Sequence, residues 1–442
     1  DQHLQELLIK YLVIFLFSRG LLVKNVKCFE SLYDLDESLG MKCYLTHPEL
    51  YIKPSGKLSD HVFKVYELLS QLGLASPKYI YRSEYNVNYH YRSKPLYLYI
   101  LRKRNMDTLE AVKALRRILG TEKIIYLGLK DKAAETYQFI FVQGGKYFTP
   151  YINKGSIELI FVALLPKRNK NDLRDLLVGN CFNINLHGIA DDHNEVLEEI
   201  MNKISEIGFL PNYYSYQRFG VERSITHILG KYLLIGDLEN LISTLICYPD
   251  NNCDPAEKCR SVIDMRRWMW VERIVCRRLL RGEKDYLKIL SSIPREILGL
   301  YASAYISYIF NHYLSERWRF YGLGYDALDG ELTEKGSFID KGIPYLHFVI
   351  KRNGELEIHS GHKEILREIF QKELSKHNMI LFPDKIKDII GISKIVMRRN
   401  LVSPLYDLRI RDRLEISFCL NKGGYATNLL REFFKYGIKE LF

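Results

Sequence analysis

The chain has 442 residues, of which 47% are hydrophobic and 26% charged, a globular balance that excludes a disordered or fibrous polymer. Lysine and arginine exceed the acids by 11, which points to a polyanionic partner, nucleic acid first; a basic protein without such a partner would show the same balance. That length allows two or three domains. Residues 7–17 form an apolar run that contains Lys10 and is shorter than the ~20 residues a bilayer requires, so it predicts a buried or partner-facing helix. Residues 31–67 read as loop-rich up to a probable strand in which Phe63, Val65 and Glu67 share one face. Residues 96–101 alternate in the same way and run into Arg102-Lys103-Arg104, a triplet that suits either phosphate contact or a solvated turn.

The stretch from Asp107 to Val142 is the densest in signals. Asp107 and Glu110 have the spacing of a helix N-cap with its acidic partner, and Gly120 fits the C-cap of a helix over 109–119. The β-branched and aromatic runs 124–127 and 139–142 predict two buried strands. Between them lies Gly128-Leu129-Lys130-Asp131-Lys132-Ala133-Ala134-Glu135-Thr136-Tyr137-Gln138, a charged loop on a rigid frame. A carboxylate flanked by two lysines stays ionised near neutrality, which suits a nucleophile or weak base better than a general acid. The same residues also describe a solvated hairpin tip. Further on, Gly208-Phe209-Leu210-Pro211-Asn212-Tyr213-Tyr214-Ser215-Tyr216-Gln217-Arg218-Phe219-Gly220 interleaves rings with side chains that bond base edges and phosphates; an aromatic corner between two layers reads equally well. Residues 269–280 and 302–319 carry helical apolar stripes, and 322–354 reads as loop and strand. Arg266, Arg267, Arg273, Arg277, Arg278 and Arg281 recur at helical spacing, either facing RNA or simply solvated. Most of the 32 Tyr and 21 Phe are expected in the core; rings beside Arg and Lys suit stacking on unpaired bases. Of the eight cysteines no pair has CxxC spacing and none joins a Cys/His zinc pattern, and no signal peptide opens the chain, so free thiols in a reducing cytoplasm are expected.

The loop G-x-K-D-K-x-A-x-T-x-Q followed by P-N-Y-Y-x-x-Q-R-F-G resembles the TruD family of RNA pseudouridine synthases. Lys57 with Phe63-x-Val65-x-Glu67 resembles the family's K-x-x-P-E-D-F-x-V-x-E motif, although Asp60-His61-Val62 stands where Pro-Glu-Asp is usual. Gly424-Tyr425-Ala426-Thr427-Asn428-Leu429-Leu430-Arg431-Glu432 resembles its Y-A-T-x-x-L-R-E motif. Thr226-His227-x-x-Gly230-Lys231 and Ser307-x-x-Phe310-Asn311 are weaker matches, and Ser215 replaces a usual Gly. The similarity runs over nearly the whole chain.

The resemblance implies an α/β (α+β) fold: a catalytic domain on a mixed, largely antiparallel sheet, residues 1–236 and 402–442, interrupted by an inserted α/β domain, residues 237–401, with an RNA cleft between them. It implies conversion of uridine to pseudouridine in tRNA, at position 13 and possibly position 35 of the precursor of tRNA(Tyr), by a monomer in the cytoplasm with no membrane association. The reaction breaks the N-glycosidic bond, turns the uracil and rejoins it through C5. No redox change or external group is involved, so neither cofactor nor metal is expected. The target base must leave its stack. By resemblance Asp131 is the catalytic carboxylate, attacking C1′ or abstracting the C2′ proton. Tyr214 stacks on the flipped base, Phe63 walls the pocket, and Asn212 bonds the substrate or holds the loop. Lys57 and Lys130 keep Asp131 ionised, Glu67 orients Lys57, and Thr136, Gln138 and Arg218 support. The alternatives are an RNA-folding protein of the same fold without catalysis and an unrelated Asp-dependent hydrolase. The hydrolase would require metal ligands or a second carboxylate, for which Glu135 is the nearby candidate.

Overall fold

The computed structural model describes residues 25–442 except 54–61, 70–95, 122, 131, 133, 145–148, 166–168, 186–193, 221, 251, 263–268, 337–341, 352, 376–383, 392–393, 412–414, 436–437 and 439–442. The apolar run 7–17, Lys57 and Asp131 therefore lie outside the described residues, as do Arg266 and Arg267.

A short ribbon pairs β1 (Phe29–Glu30) with β2 (Cys43–Tyr44). The main sheet has ten strands: β3 (Val62–Leu69), β4 (Leu96–Lys103), β5 (Ile124–Tyr126), β6 (Glu135–Gln143), β7 (Tyr151–Lys154), β8 (Ile157–Leu165), β9 (Leu177–Asn185), β10 (Phe209–Pro211), β15 (Val402–Arg411) and β16 (Glu415–Asn421). Their order is β10-β15-β16-β9-β3-β6-β4-β8-β7, with β5 also on β6. Among the described residues only β3 and β6 run parallel, and every other pairing in this sheet is antiparallel. The sheet is thus mixed and largely antiparallel. A second antiparallel sheet contains β11 (Leu332–Lys335), β12 (Gly342–Ile350), β13 (Leu356–Ser360) and β14 (Ile395–Asn400). The strands of the ten-stranded sheet thus come from both ends of the chain, on either side of those of the four-stranded sheet.

Local chemistry explains several elements. The helix Thr108–Leu119 starts where the Asp107 side chain accepts the Glu110 N–H and stops at Gly120, which adopts the left-handed conformation (φ 61°). It buries Ala111, Val112, Leu115 and Leu119 against Tyr99, Leu101, Ile140 and Val142 of one sheet face. The helix Arg295–Tyr321 is buried on most sides and packs along Thr226–Ile235. At their crossing Gly230 is obligatory: a Cβ there would stand 2.0 Å from the Tyr301 carbonyl oxygen. One hydrophobic core runs from the helix Asn194–Ile207 through this crossing to β12 and β14.

The C-terminal helix Ala426–Phe434 is wholly buried and clamps the beginning of the described chain. Arg431 pairs with Asp36 at 2.7 Å and donates to the Met41 and Cys43 carbonyls, with its guanidinium 4.0 Å from the Tyr44 ring centroid. Glu432 accepts from the Leu45 and Thr46 amides and from Lys435. The Arg-Glu of the C-terminal motif is therefore architectural.

Two expectations are corrected. All eight cysteines form disulfides: Cys28–Cys43, Cys181–Cys419, Cys247–Cys253 and Cys259–Cys276. Their partners meet across strands and helices, so spacing along the chain does not reveal them. Arg102 and Lys103 face inward rather than to phosphate. Arg102 pairs with Glu135 (2.6 Å) and Glu158 (2.8 Å), and Lys103 is fully buried. Arg104 pairs with Glu135 at 3.1 Å while keeping about half its side chain in solvent. No described helix is long and apolar enough to cross a membrane.

Candidate active site

Strand register gathers one polar group on the sheet face that also carries the Thr108–Leu119 helix. Val65 of β3 stands opposite Thr136 of β6, which stands opposite Lys103 of β4; on the other side of β3, Glu67 stands opposite Asn180 of β9. Because side chains alternate along each strand, Phe63, Glu67, Lys103, Thr136, Gln138 and Asn180 share this face. Phe63 continues it as an aromatic row, 6.0 Å from Phe182, which stacks on Phe418 at 5.2 Å.

The charged loop enters this face through Lys130, and every polar group of Lys130 is held. Its N–H donates to Thr108 Oγ1 (3.0 Å), and its carbonyl accepts from Lys103 Nζ (3.3 Å). Its own Nζ lies 2.9 Å from Glu67 Oε1 and donates to Asn180 Oδ1 at 2.9 Å. Glu67 is fully buried and its other oxygen accepts the Phe139 N–H. Thr108 in turn donates to Gln138 Oε1 (3.2 Å). A buried carboxylate and a nearly buried ammonium stabilise each other only when both are also hydrogen-bonded, as they are here. The residue immediately before Asp131 is thus fixed in three directions. Thr136 Oγ1 and Gln138 Nε2 are buried with no hydrogen-bond partner among the described residues. Glu67 therefore orients Lys130.

A second group forms around the loop after β10. Asn311, fully buried on the long helix, donates to the Tyr214 carbonyl (2.9 Å) and accepts its N–H (2.8 Å). Asn428 donates to the Pro211 and Tyr213 carbonyls, and Thr427 bonds the Ser215 hydroxyl. Serine in place of the usual glycine thus gains a partner. Asn212 is buried; its amide nitrogen donates to the Asn400 carbonyl and its oxygen accepts from Arg399. Arg399 Nε also donates to the Asn212 carbonyl (2.8 Å), and its Cζ lies 4.0 Å from the Tyr214 ring centroid. The Tyr214 ring, half-buried, meets Phe310 and Tyr425 edge-on at 5.6 and 6.1 Å. Arg218 donates to Ser307 and stands 5.8 Å from the same ring.

Of the residues expected at a site, Glu67, Lys130, Thr136 and Gln138 come together with Phe63 on one face, while Asn212, Tyr214 and Arg218 form the second group. Sequence reasoning gave no site role to Thr108 or Asn180, and noted Lys103 only within the basic triplet and Asn311 only within a weaker motif match. Thr108 follows directly on the Asp107 cap and was the most findable of these. Glu135, the candidate second carboxylate, is occupied by Arg102, Arg104 and the Tyr137 hydroxyl. Among the described residues no cluster of three or more His, Cys, Asp or Glu side chains has the arrangement of a metal site. Among the expected arginines, Arg277, Arg278 and Arg281 are exposed, while Arg273 is partly buried.

The family profile described as "tRNA pseudouridine synthase D (TruD)" matches residues 39–338. The chain belongs to the TruD family of tRNA pseudouridine synthases. A protein of Methanococcus vannielii named "Probable tRNA pseudouridine synthase D" is 29% identical over 350 residues, covering 76% of this chain and 84% of its own. Relatives with the same name from Pyrobaculum islandicum and Thermococcus gammatolerans are each 30% identical, covering 75% and 76% of this chain and 82% and 88% of their own. A solved TruD structure from Methanosarcina mazei superposes with a TM-score of 0.59 over 91% of this chain and 98% of its own, at 20% identity, which supports the fold. Membership of the TruD family makes the protein an isomerase of uridine in tRNA.

Proposed function

We propose that the chain makes pseudouridine at position 13 of tRNA, with position 35 of the precursor of tRNA(Tyr) as the alternative or additional target, and that Asp131 is the catalytic carboxylate. The observation that supports this reading is the three-way fixation of Lys130, the residue immediately before Asp131 in the sequence, on the face that bears Phe63. A positioned carboxylate acts with little reorganisation when it meets the ribose of a flipped nucleotide. It either attacks C1′, releasing uracil for reattachment through C5, or removes the C2′ proton. In the first route the Asp131–C1′ bond breaks as C5 bonds C1′, and in the second Asp131 returns the proton to C2′; in both the N1–C1′ bond is broken, a C5–C1′ bond forms, and the C5 proton is lost as N1 gains one. Lys130 and Lys132 flank Asp131 in the sequence, and neighbouring positive charge favours the ionised form of a carboxylate. Tyr214 offers a ring for the extruded base, held by Asn311 through its backbone and by Arg399 at its face. Residues 1–236 with 402–442 are proposed as the catalytic domain, 237–401 as the insertion, and the protein acts as a monomer.

The test compares wild type with Asp131→Asn on unmodified tRNA transcripts, measuring pseudouridine and RNA binding in parallel. Wild type is expected to form pseudouridine at the mapped positions, while the variant binds with similar affinity and forms none. Binding by both without isomerisation by either would overturn the catalytic reading in favour of an RNA-folding role.

A further inference from the structure

The helix Thr108–Leu119 presents a second feature on the edge that faces away from the core. Leu109, Val112, Lys113, Arg116 and Arg117, together with Tyr126 of β5, line an open depression of about 410 Å3. Three of its six lining residues are cations and none is acidic. Lys113 and Arg117 are exposed and have no ion-pair partner among the described residues. Arginines in a helix's last turn favour the helix dipole, which accounts for Arg116 and Arg117 on structural grounds alone. It accounts neither for Lys113 in mid-helix nor for Leu109, which leaves 55% of its surface in water next to those cations. Lys113 and Arg117 beside an apolar and aromatic floor match a ligand that carries phosphate and a flat or sugar-like body together.

We propose that this depression is a second RNA-binding site, which takes a phosphodiester and its adjoining nucleoside from the tRNA strand flanking the target uridine. The inference rests on the tRNA-modifying role proposed above and adds a contact to it. Its placement follows from the helix itself. Thr108, at the N-terminus, bonds the N–H of Lys130 beside Asp131. Lys113 and Arg117 lie five and nine residues further on, ~7.5 and ~13.5 Å along the axis at ~1.5 Å per residue. A strand seated on these cations is therefore within a few nucleotides of the catalytic loop, and the helix that holds the loop also measures the distance to the substrate backbone.

The test is the double variant Lys113→Ala/Arg117→Ala, with Leu109→Ser as an uncharged probe of the floor. Binding of an unmodified tRNA transcript is measured across a salt series, alongside single-turnover pseudouridine formation at saturating RNA, with circular dichroism melts confirming the fold. At moderate salt the double variant is expected to bind about tenfold more weakly. Its log K against log salt plot should be shallower by about 1.4–1.8, the loss of two phosphate contacts at ~0.7–0.9 each. Its rate at saturation should stay within about twofold of wild type, and Leu109→Ser should weaken binding without changing the salt slope. An unaltered affinity and slope in the folded double variant would overturn the site, whether or not wild type is active. Failure of wild type to isomerise tRNA, with the shallower slope still present in the variant, would instead overturn the catalytic reading and leave the RNA site standing.

Discussion

Lys130 Nζ lies 2.9 Å from the Glu67 carboxylate, with Glu67 fully buried and the lysine side chain 9% exposed. The pair joins the charged loop to a strand more than sixty residues earlier, and it carries opposite consequences for single and double substitution. Glu67→Ala leaves a nearly buried ammonium and an unpaired Phe139 N–H, and should lower stability by about 3–5 kcal/mol. Glu67→Gln retains a hydrogen-bond acceptor but not the charge, and should reduce the single-turnover rate by about 10- to 100-fold with little change in RNA affinity. Lys130→Met in the Glu67→Gln background removes the orphaned charge and should recover much of the stability without recovering the rate. Urea melts and single-turnover assays on wild type, Glu67→Gln, Lys130→Met and their double variant, with Glu67→Ala beside them, check this; additive losses of stability in the two single variants and the double would show that the two residues do not act as a pair.

Arg399 joins the two sheets at the aromatic loop, reaching from β14 to the Asn212 side chain, three backbone carbonyls and the Tyr214 face. A lysine cannot reproduce that planar fork. Arg399→Lys should therefore behave much like Arg399→Ala, raising the tRNA concentration needed for half-maximal rate by about tenfold. Tyr214→Phe should be close to wild type, and Tyr214→Ala should lose about 1–3 kcal/mol of binding. Rescue of binding by Arg399→Lys would show that charge alone, not the fork, is required.

Burial pushes the His227 imidazole down to about 4, and the ring packs between Phe219 and Tyr308. In the unfolded chain it titrates near ~6.5. Between these values the unfolded state binds the additional proton, so stability is complete above pH 6.5 and falls as pH drops toward 4, with little further loss below that. The full contribution is about 3 kcal/mol. His312 shifts in the same direction, for the same reason. His227→Phe keeps ring contacts and removes the titration, so its urea midpoint should fall less than that of wild type between pH 7 and 4.5. Equal falls in the two proteins would remove His227 from the acid response.

Cys181 and Cys419 join neighbouring strands β9 and β16 directly opposite one another, 238 residues apart in sequence. A crosslink across so long a loop restricts the unfolded chain strongly, and the loss of this disulfide in Cys181→Ser/Cys419→Ser should cost about 2–5 kcal/mol. Thiol titration of denatured, unreduced protein should find no free thiols, and reductant should lower the melting temperature. Eight free thiols in the freshly prepared protein would refute the pairing.

What the sequence alone determined is local. The Asp107 cap, the Gly120 stop, the strands around the charged loop and the apolar stripe of the long helix each follow from a few adjacent residues whose conformational preferences and spacing suffice. The family motifs were legible for the same reason, as contiguous strings. Only the tertiary structure decided which distant groups meet. Sheet register sets Glu67 beside Lys130 and Asn180, and a crossing that admits no Cβ at Gly230 brings Asn311 to the Tyr214 backbone. Arg431 finds Asp36 across 395 residues. The cysteines, unpaired by spacing, pair by strand and helix adjacency, and the Arg102-Lys103-Arg104 triplet, basic by composition, turns largely inward because carboxylates and carbonyls await it there. Charge and ring content are properties of the chain; whether a charge faces solvent, a carboxylate or a backbone carbonyl depends on the packing of segments that the chain places far apart.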